Sequence, residues 1–416
     1  MDIDSIKKVG VVGWGRSGIA LCDALLALKK EVKLTEIKEK DSFHPLPITR
    51  YGERGVQFEF GANSEKFIKD CQLVVLSPGV DPLTSDVARI SKELGILCVG
   101  EVEFAFWLTK AKFIAITGTN GKSTTTFLTY RALKEKRKRV FLGGNIGIPV
   151  SSFVLNTKKG DLIVLEISSF QLETILEFRP HVAVLLNVGP NHLDRHPTFK
   201  DYLNAKMNIF KNQKKDDWAI INKDMRLRSD VEKNIKAKVL YFSDEFDNAN
   251  YSCACRIASI FDVAKADCVK AFSEFKGLPH RMQFVKRING VTFVNDSKST
   301  NPSSTIWALK NTRGKIILIA GGKDKGVDYD LINPYLEKVK KLNLIGQAAP
   351  KIKNELGLLA AVEIFPSLED AVAASFAEAS RGDTVILSPM CASFDMFMNY
   401  MDRGRKFVQI VNSLGE

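Results

Sequence analysis

Short apolar runs rich in β-branched residues recur along the chain, and each leads into a stretch where apolar positions return every three or four residues. That alternation predicts repeated β–α units with a mostly parallel sheet. In the first hundred residues it places strands at 9–12, 32–35, 73–77 and 96–99, with helices near 17–29 and 82–94. A second series opens at 113–117 and continues through 162–167 and 182–187. A third includes 315–320, 343–345 and 384–388. The pattern implies an α/β protein of three tandem domains over 1–108, 109–290 and 291–416, with boundaries near Lys110 and Val291.

Composition adds exclusions. The chain has 416 residues, 45% hydrophobic and 26% charged, the balance of a globular protein and not of a disordered chain, a collagen-like repeat or a small disulfide scaffold. No apolar run approaches the length of a membrane span, and the apolar stretch in MDIDSIKKVGVVGWG is too short for a signal peptide. Seven cysteines form no CxxC pair and read as reduced thiols of a cytoplasmic protein. The net charge of +12 is uneven: residues 105–290 carry an excess of 13 positive charges, against −2 before them and +1 after. A basic centre suits a polyanionic ligand. The run KEKRKR at 134–139 ends a helix, where cations favour the helix dipole, so it is not read as a nucleic-acid patch.

Motifs narrow the chemistry. Gly13-Trp14-Gly15-Arg16-Ser17-Gly18 follows a strand and precedes a helix, a full GxGxxG turn that lets backbone N–H groups approach a pyrophosphate. Glu36 lies 23 positions after Gly13, near where a dinucleotide enzyme holds a ribose. The N-terminal domain is therefore read as Rossmann-like, with the nucleotide unspecified. Ser77-Pro78-Gly79 is either a second phosphate turn or a plain strand end. The strongest signal runs from Phe113 to Thr124, where a strand leads through Gly118-Thr119-Asn120-Gly121-Lys122-Ser123-Thr124 into a helix. Such a loop cradles phosphates with backbone N–H groups, Lys122 neutralises the β and γ charges, and a hydroxyl reaches Mg²⁺. It departs from GxxxxGK[ST] only in carrying Ile116 at the first glycine, and it makes the central domain ATPase-like.

Other segments stay open on residue type alone. Glu166, in LEISSFQLE, is either a metal-binding carboxylate beside the nucleotide or a solvated strand-end residue. His192 stands in a polar cluster with Asn191, Asp194, Arg195 and His196 whose roles the pattern leaves undecided. Lys206, in DYLNAKMNIF, reads as an exposed helical lysine. The turns NDSKSTN at 295–301 and GLPHR at 277–281 read as polar loops, and GGKDKG at 321–326 as an anion turn or a solvated loop. Cys391, in SPMCASFD, reads as a buried small residue in preference to a nucleophile.

In this order TGTNGKST, EISSFQLE, NHLDRH with its downstream lysine, GLPHR, NDSKSTN and SPMCASFD resemble the Mur ligases of peptidoglycan synthesis, from about Val9 to Phe407. The phosphate loop and the NHLDRH region mark a superfamily that includes folylpolyglutamate synthases. NDSKSTN and SPMCASFD are similar to its D-glutamate-adding branch, and the DYAH-type sequence of other branches is missing here. The resemblance implies a Rossmann-like C-terminal domain that binds the amino acid. It implies roles too. Gly118, Thr119, Asn120, Gly121, Lys122, Ser123 and Thr124 would hold ATP phosphates, with Asn250, Arg281 and Asp296 around the nucleotide. Ser123, Thr124, Glu166, His192 and Lys206 would serve Mg²⁺, at two ions, with Lys206 N-carboxylated into a carboxylate-like ligand. Lys122, Lys206 and His192 would be the catalytic set. Ser17, Gly79, Asn145, Ser168, Gln171 and His192 would face UDP-N-acetylmuramoyl-L-alanine, and Lys298, Thr300, Lys325, Ser393 and Tyr400 would recognise D-glutamate. Tyr400 stands where the family pattern has Phe, and Arg16 and Ile37 depart from its uridine pocket.

The implied reaction is ATP-driven amide formation through an acyl phosphate, by a cytoplasmic monomer that binds no nucleic acid and inserts in no membrane. Three rivals remain. A dehydrogenase would use GxGxxG and Glu36 but leave the phosphate loop idle. A nucleotide switch or nucleic-acid ATPase would use the basic centre. A sister ligase would add another amino acid, against NDSKSTN and SPMCASFD.

Overall fold

The computed structural model describes residues 1–192, 195–245 and 248–414. They form two compact units, Met1–Val188 with Leu203–Glu274, and Gly189–Tyr202 with Phe275–Glu416.

The first unit carries two sheets. One comprises β1 (Lys8–Val12), β2 (Glu31–Glu36), β3 (Gln57–Phe60), β4 (Leu73–Leu76) and β5 (Leu97–Gly100), in the order β3-β2-β1-β4-β5. Every pairing in it is parallel. The other comprises β6 (Lys112–Thr117), β7 (Val140–Gly144), β8 (Leu162–Glu166), β9 (Val182–Leu185), β10 (Trp218–Asn222) and β11 (Lys238–Phe242), in the order β11-β10-β9-β6-β8-β7, again parallel. Strands β4 and β8 are apolar along nearly their whole length because both faces of a parallel sheet are covered. Edge strand β3 reads QFEF and is only half covered, which is why no apolar run announces it.

A short helix, Glu101–Trp107, links the two sheets, and both of its glutamates are buried. Glu101 accepts from the Ser151 N–H and hydroxyl, each at 2.7 Å. Glu103 accepts from the N–H groups of Leu176, Glu177 and Phe178 at 2.8, 2.8 and 2.9 Å. Each carboxylate thus ties the end of the first sheet to loops of the second.

The second unit carries a third sheet of β12 (Gln283–Ile288), β13 (Val291–Asn295), β14 (Ile316–Gly321), β15 (Val339–Ile345), β16 (Val362–Ile364) and β17 (Thr384–Met390), ordered β12-β13-β17-β14-β15-β16. Only β12 runs antiparallel, against β13. Asn289 and Gly290 have φ of 50° and 84°, the two left-handed residues of a type I′ turn whose twist matches its strands. This sheet therefore begins at Gln283, ahead of the boundary expected at Val291; the Asn-Gly signal in RINGVTF joins the segments that boundary would separate. Separate apolar clusters fill the sheet's two faces, one around Leu318, Leu342 and Ile386 and the other around Phe293, Ile319 and Phe407.

Candidate active site

Strand β6 ends at Thr117 and the chain enters the helix Lys122–Lys134 through Gly118–Gly121. Gly121 caps that helix with φ of 84°, and a Cβ there would strike the Asn250 side-chain oxygen. Gly118 has φ of 155°, and a Cβ would come within 2.9 Å of Leu186. Only glycine allows both close approaches. Asn187, at the end of β9, holds the loop from below: its side chain accepts from Asn120 N–H at 2.9 Å and donates to Asn120 O at 3.1 Å. Asn250 accepts from the Thr125 hydroxyl at 3.1 Å, in the first turn of that helix.

Charge gathers at the same place. Ser123 Oγ donates to Glu166 Oε2 at 2.5 Å, and Asn145 Nδ2 donates to Glu166 Oε1 at 2.8 Å. Asn145, assigned by resemblance to the UDP substrate, here touches the carboxylate. Lys122 Nζ folds back on its own loop, donating to Gly118 O at 2.8 Å and Thr119 O at 3.0 Å.

Lys206, at the end of the helix Phe199–Met207, is 1% exposed and donates to Gly118 O at 3.0 Å and Thr117 Oγ1 at 3.4 Å. The exposed helical lysine that its spacing suggests is thus corrected: the helix turns that residue under the loop. Burial, with Lys122 adding to it and Glu166 opposing it, holds its amine well below the ordinary lysine range.

The donor set suits Mg²⁺. Ser123 and Glu166 are hard oxygen ligands, and this ion takes one or two protein oxygens and completes its shell with phosphates and water. Among the described residues no group of three or more His, Cys, Asp or Glu side chains gathers as a separate metal site.

In the first sheet, Gly13 and Gly18 approach so closely that a Cβ on Gly18 would overlap Gly13 O. The loop's Trp14 N–H is already bonded to Glu36 Oε2 at 2.8 Å. Glu36 therefore braces the glycine turn internally, while Ser17 opens the helix Arg16–Ala27 beside it. Arg16 reaches Gly147 O at 3.5 Å, and Ile37 is 60% exposed. Beyond the C-terminal ends of β4 and β5, a narrow crevice is lined by Ser77, Pro78, Val80, Phe170, Gln171 and Thr174. Gly79 lies in the turn beside it, exposed to solvent. Ser168 and Gln171 form a capping box at the helix Ser169–Leu172, which aims Gln171 into this crevice. The space beyond the carboxyl ends of parallel strands is where open α/β sheets bind ligands.

The second unit holds the remaining candidates. His192 has φ of 57°, an uncommon conformation for a non-glycine residue, and its carbonyl accepts from the N–H groups of Arg195 and His196 at 3.0 and 2.8 Å. Asp194 lies outside the described residues. Asp296, at the end of β13, is buried and accepts from Ser299 and Ser388 hydroxyls at 2.5 and 2.9 Å and from Met282 N–H at 3.1 Å. Burial pushes its carboxyl up to about 6, against these bonds and the Arg281 charge. Lys298 Nζ sits 5.1 Å from the centre of the Tyr400 ring. Thr300 and Lys325 are half-buried, and Ser393 is buried. Cys391 is buried too, its Sγ 3.1 Å from Tyr329 OH and its thiol pushed up to about 12, as a packed residue would be.

Arg403 has no counterpart among the residues the motifs single out. It is fully buried and donates to Ser297 Oγ at 3.0 Å, Ser297 O at 2.8 Å, Cys391 O at 3.2 Å and Ala392 O at 3.3 Å. One guanidinium thus joins the loop bearing Lys298 and Thr300 to the loop bearing Ser393. In YMDRGRKF it looks like any solvent-facing helical arginine, and no local pattern would find it.

Three family models match: the MurD N-terminal domain over residues 8–86, the Mur ligase middle domain over 116–277, and the Mur ligase glutamate ligase domain over 280–391. A UDP-N-acetylmuramoylalanine--D-glutamate ligase of Thermoanaerobacter pseudethanolicus is 39% identical, covering 98% of each chain. The chain belongs to the Mur ligase family. A protein of the same name from Koribacter versatilis is 37% identical over 99% of this chain and 98% of its own. Among solved structures, a pseudomurein peptide ligase type C from Methanothermus fervidus superposes with a TM-score of 0.61 at 16% identity, over 98% of this chain and 99% of that one. A MurF ligase from Thermotoga maritima does so at 0.60 and 18%, over 91% and 93%. These structural likenesses bear on the fold alone, and they match its mostly parallel α/β sheets. As a Mur ligase the protein is an ATP-dependent ligase. No helix among the described residues is long and apolar enough to cross a membrane.

Proposed function

We propose that this Mur ligase joins D-glutamate to UDP-N-acetylmuramoyl-L-alanine with ATP, in peptidoglycan precursor synthesis. The observation that carries the chemistry is the grouping of buried Ser123, Glu166 and Lys206 with half-buried Lys122 around one phosphate loop. The full-length relatives named for D-glutamate addition support the choice of substrate.

A carboxylate is a poor acyl donor because its oxide leaving group is too basic. An oxygen of the L-alanyl carboxylate attacks the γ-phosphorus, the bond to ADP breaks, and an acyl phosphate forms. The D-glutamate amine then attacks the acyl carbon, loses a proton, and the tetrahedral adduct expels phosphate. Lys122 and the N–H groups of 118–122 hold the transferred phosphoryl by charge and hydrogen bonds. Mg²⁺, when bound by Ser123 and Glu166, supplies charge that screens the phosphoryl oxygens.

Lys206 enters as a modified side chain. Its depressed amine is a nucleophile when neutral. Attack on CO₂ forms the N–C bond, releases a proton and leaves a carbamate oxygen pair close to Glu166. His192 completes the catalytic set. Gln171 in the crevice, with Gly79, Ser17, Ser168 and Asn145, would face the UDP substrate. Asp296, Arg281 and Asn250 serve the nucleotide, and Lys298, Thr300, Lys325, Ser393 and Tyr400 serve D-glutamate. Pools of ATP and UDP-linked precursors support a cytoplasmic enzyme, which we take to act as a monomer.

Phosphate release with Mg²⁺, ATP and UDP-N-acetylmuramoyl-L-alanine tests the function when D-glutamate, L-glutamate, L-alanine or a diamino acid is added in turn. Release that requires both substrates and prefers D-glutamate is expected. Preference for another amino acid would move the branch, and substrate-independent hydrolysis in CO₂-equilibrated buffer would end the ligase reading.

A further inference from the structure

The three central strands of the third sheet, β13, β17 and β14, carry the candidate residues at their C-terminal ends: Asp296 after β13, Ser393 after β17 and Lys325 after β14. Their N-terminal ends carry another constellation. β13 is entered through Asn289-Gly290, β17 through Arg381-Gly382 and β14 through Arg313-Gly314. These turns sit side by side. Gly382 N–H donates to Gly290 O at 3.0 Å, a Cβ on Gly314 would come 2.9 Å from Gly382 O, and the Arg381 stem lies over Gly290.

Two adjoining cavities open there. One of about 540 Å³ is lined by Arg287, Asn289, Gly290, Arg381 and Gly382. The next, of about 330 Å³, shares Arg287 and Gly382 and adds Arg313. No Asp or Glu lines either one. Among the described residues none of the three arginines forms an ion pair with a carboxylate, and the nearest acidic neighbour in sequence, Asp383, is bound to Lys340 at 3.2 Å. Arg287 is steadied from behind, its Nε donating to Thr292 Oγ1 at 3.2 Å.

We propose that this arginine-lined recess binds a small anion bearing two or more phosphoryl groups, such as a condensed phosphate or a phosphorylated sugar. Guanidinium forks match phosphoryl oxygens in pairs. Three of them exceed the needs of a single carboxylate, and the combined space exceeds that of one orthophosphate. The lining lacks aromatic rings, so nothing there stacks a base. At about 3.3 Å per residue, the strands put roughly 15–20 Å between this recess and Asp296, Ser393 and Lys325 beyond their other ends, so its ligand does not share those residues.

Isothermal titration of the full-length protein with inorganic pyrophosphate, with the phosphate loop saturated by MgADP, tests the proposal. One saturable site is expected. The double variant Arg287→Gln/Arg381→Gln should weaken it at least tenfold, while Lys122→Ala leaves it unchanged. The arginine variant should keep its ligase activity and melting temperature, because both side chains are exposed. Absence of saturable binding, or binding lost in Lys122→Ala and retained in the arginine variant, would overturn it. Replacing pyrophosphate by a sugar bisphosphate distinguishes the two sources of the same chemistry. This site is independent of the ligase reading, so either result stands whatever amino acid the enzyme adds.

Discussion

Two buried carboxylates end parallel strands in this molecule, and they are kept in opposite ways. Glu166, at the tip of β8, meets a hydroxyl, an amide and the charge of Lys206. Asp296, at the tip of β13, meets two hydroxyls and one backbone N–H, and burial leaves its carboxyl raised to about 6. Position and burial are nearly the same, and each feels a cation, Lys206 at Glu166 and Arg281 at Asp296; the difference is that Glu166 is bonded to the first turn after the phosphate loop. Glu166 is set among donors and a cation beside a phosphate loop, which suits the magnesium role proposed for it. Asp296 has neutral hydrogen-bond donors, with the Arg281 charge opposing the effect of burial, and it ties its own turn to Ser388 and Met282.

The largest effect should separate the two acids kinetically. Glu166→Gln is expected to lower kcat on the order of 10²–10³-fold, as loss of a charge-stabilising group does, and to raise the Mg²⁺ concentration for half-activity. Asp296→Asn should act mainly on the KM for ATP and leave the Mg²⁺ requirement within about twofold. Magnesium titrations of both variants decide it; a shifted requirement in Asp296→Asn alone would reverse the assignment.

A smaller effect follows from the raised carboxyl. Protonated Asp296 is favoured by the fold, so its contribution is full below the unfolded value near 4 and is lost as pH rises through about 6. The swing is roughly 2–3 kcal/mol at most, at about 1.4 kcal/mol per unit. Glu101, whose carboxyl burial also raises, adds a change of the same sign. The readout is therefore the difference between wild type and Asp296→Asn in urea unfolding at pH 4.5 and 7.5, and equal pH slopes would refute it.

The smallest concerns a third strand-end acid. Half-exposed Glu36 bonds the N–H groups of Trp14 and Lys38 at 2.8 and 3.1 Å. Glu36→Ala should cost about 1 kcal/mol of stability in denaturant melts, with no change in magnesium response.

The same contrasts mark how far local spacing reaches in this chain. The phosphate loop, Glu166 and the strand series are legible in the amino-acid sequence because each depends on a few adjacent residues whose spacing the backbone enforces. Lys206 is not, since helical periodicity places it on a surface and only the path of its helix buries it. Arg403 is hidden for the same reason, its closest bonds going to Ser297, over a hundred residues away. Edge strands β3 and β16 give weak patterns because half-covered strands need few apolar residues. The β12–β13 hairpin has a clear local signal in its Asn-Gly pair, but apolar runs alone do not reveal it.

The glutamates of the helix Glu101–Trp107 bear on how the chain tolerates being divided. Glu103 alone occupies three amides at Leu176, Glu177 and Phe178, and Glu101 occupies Ser151. A gene split near Lys110 would strand both carboxylates on one product and their donors on the other. The two pieces would each present buried polar groups to water and should be recovered folded only when expressed together.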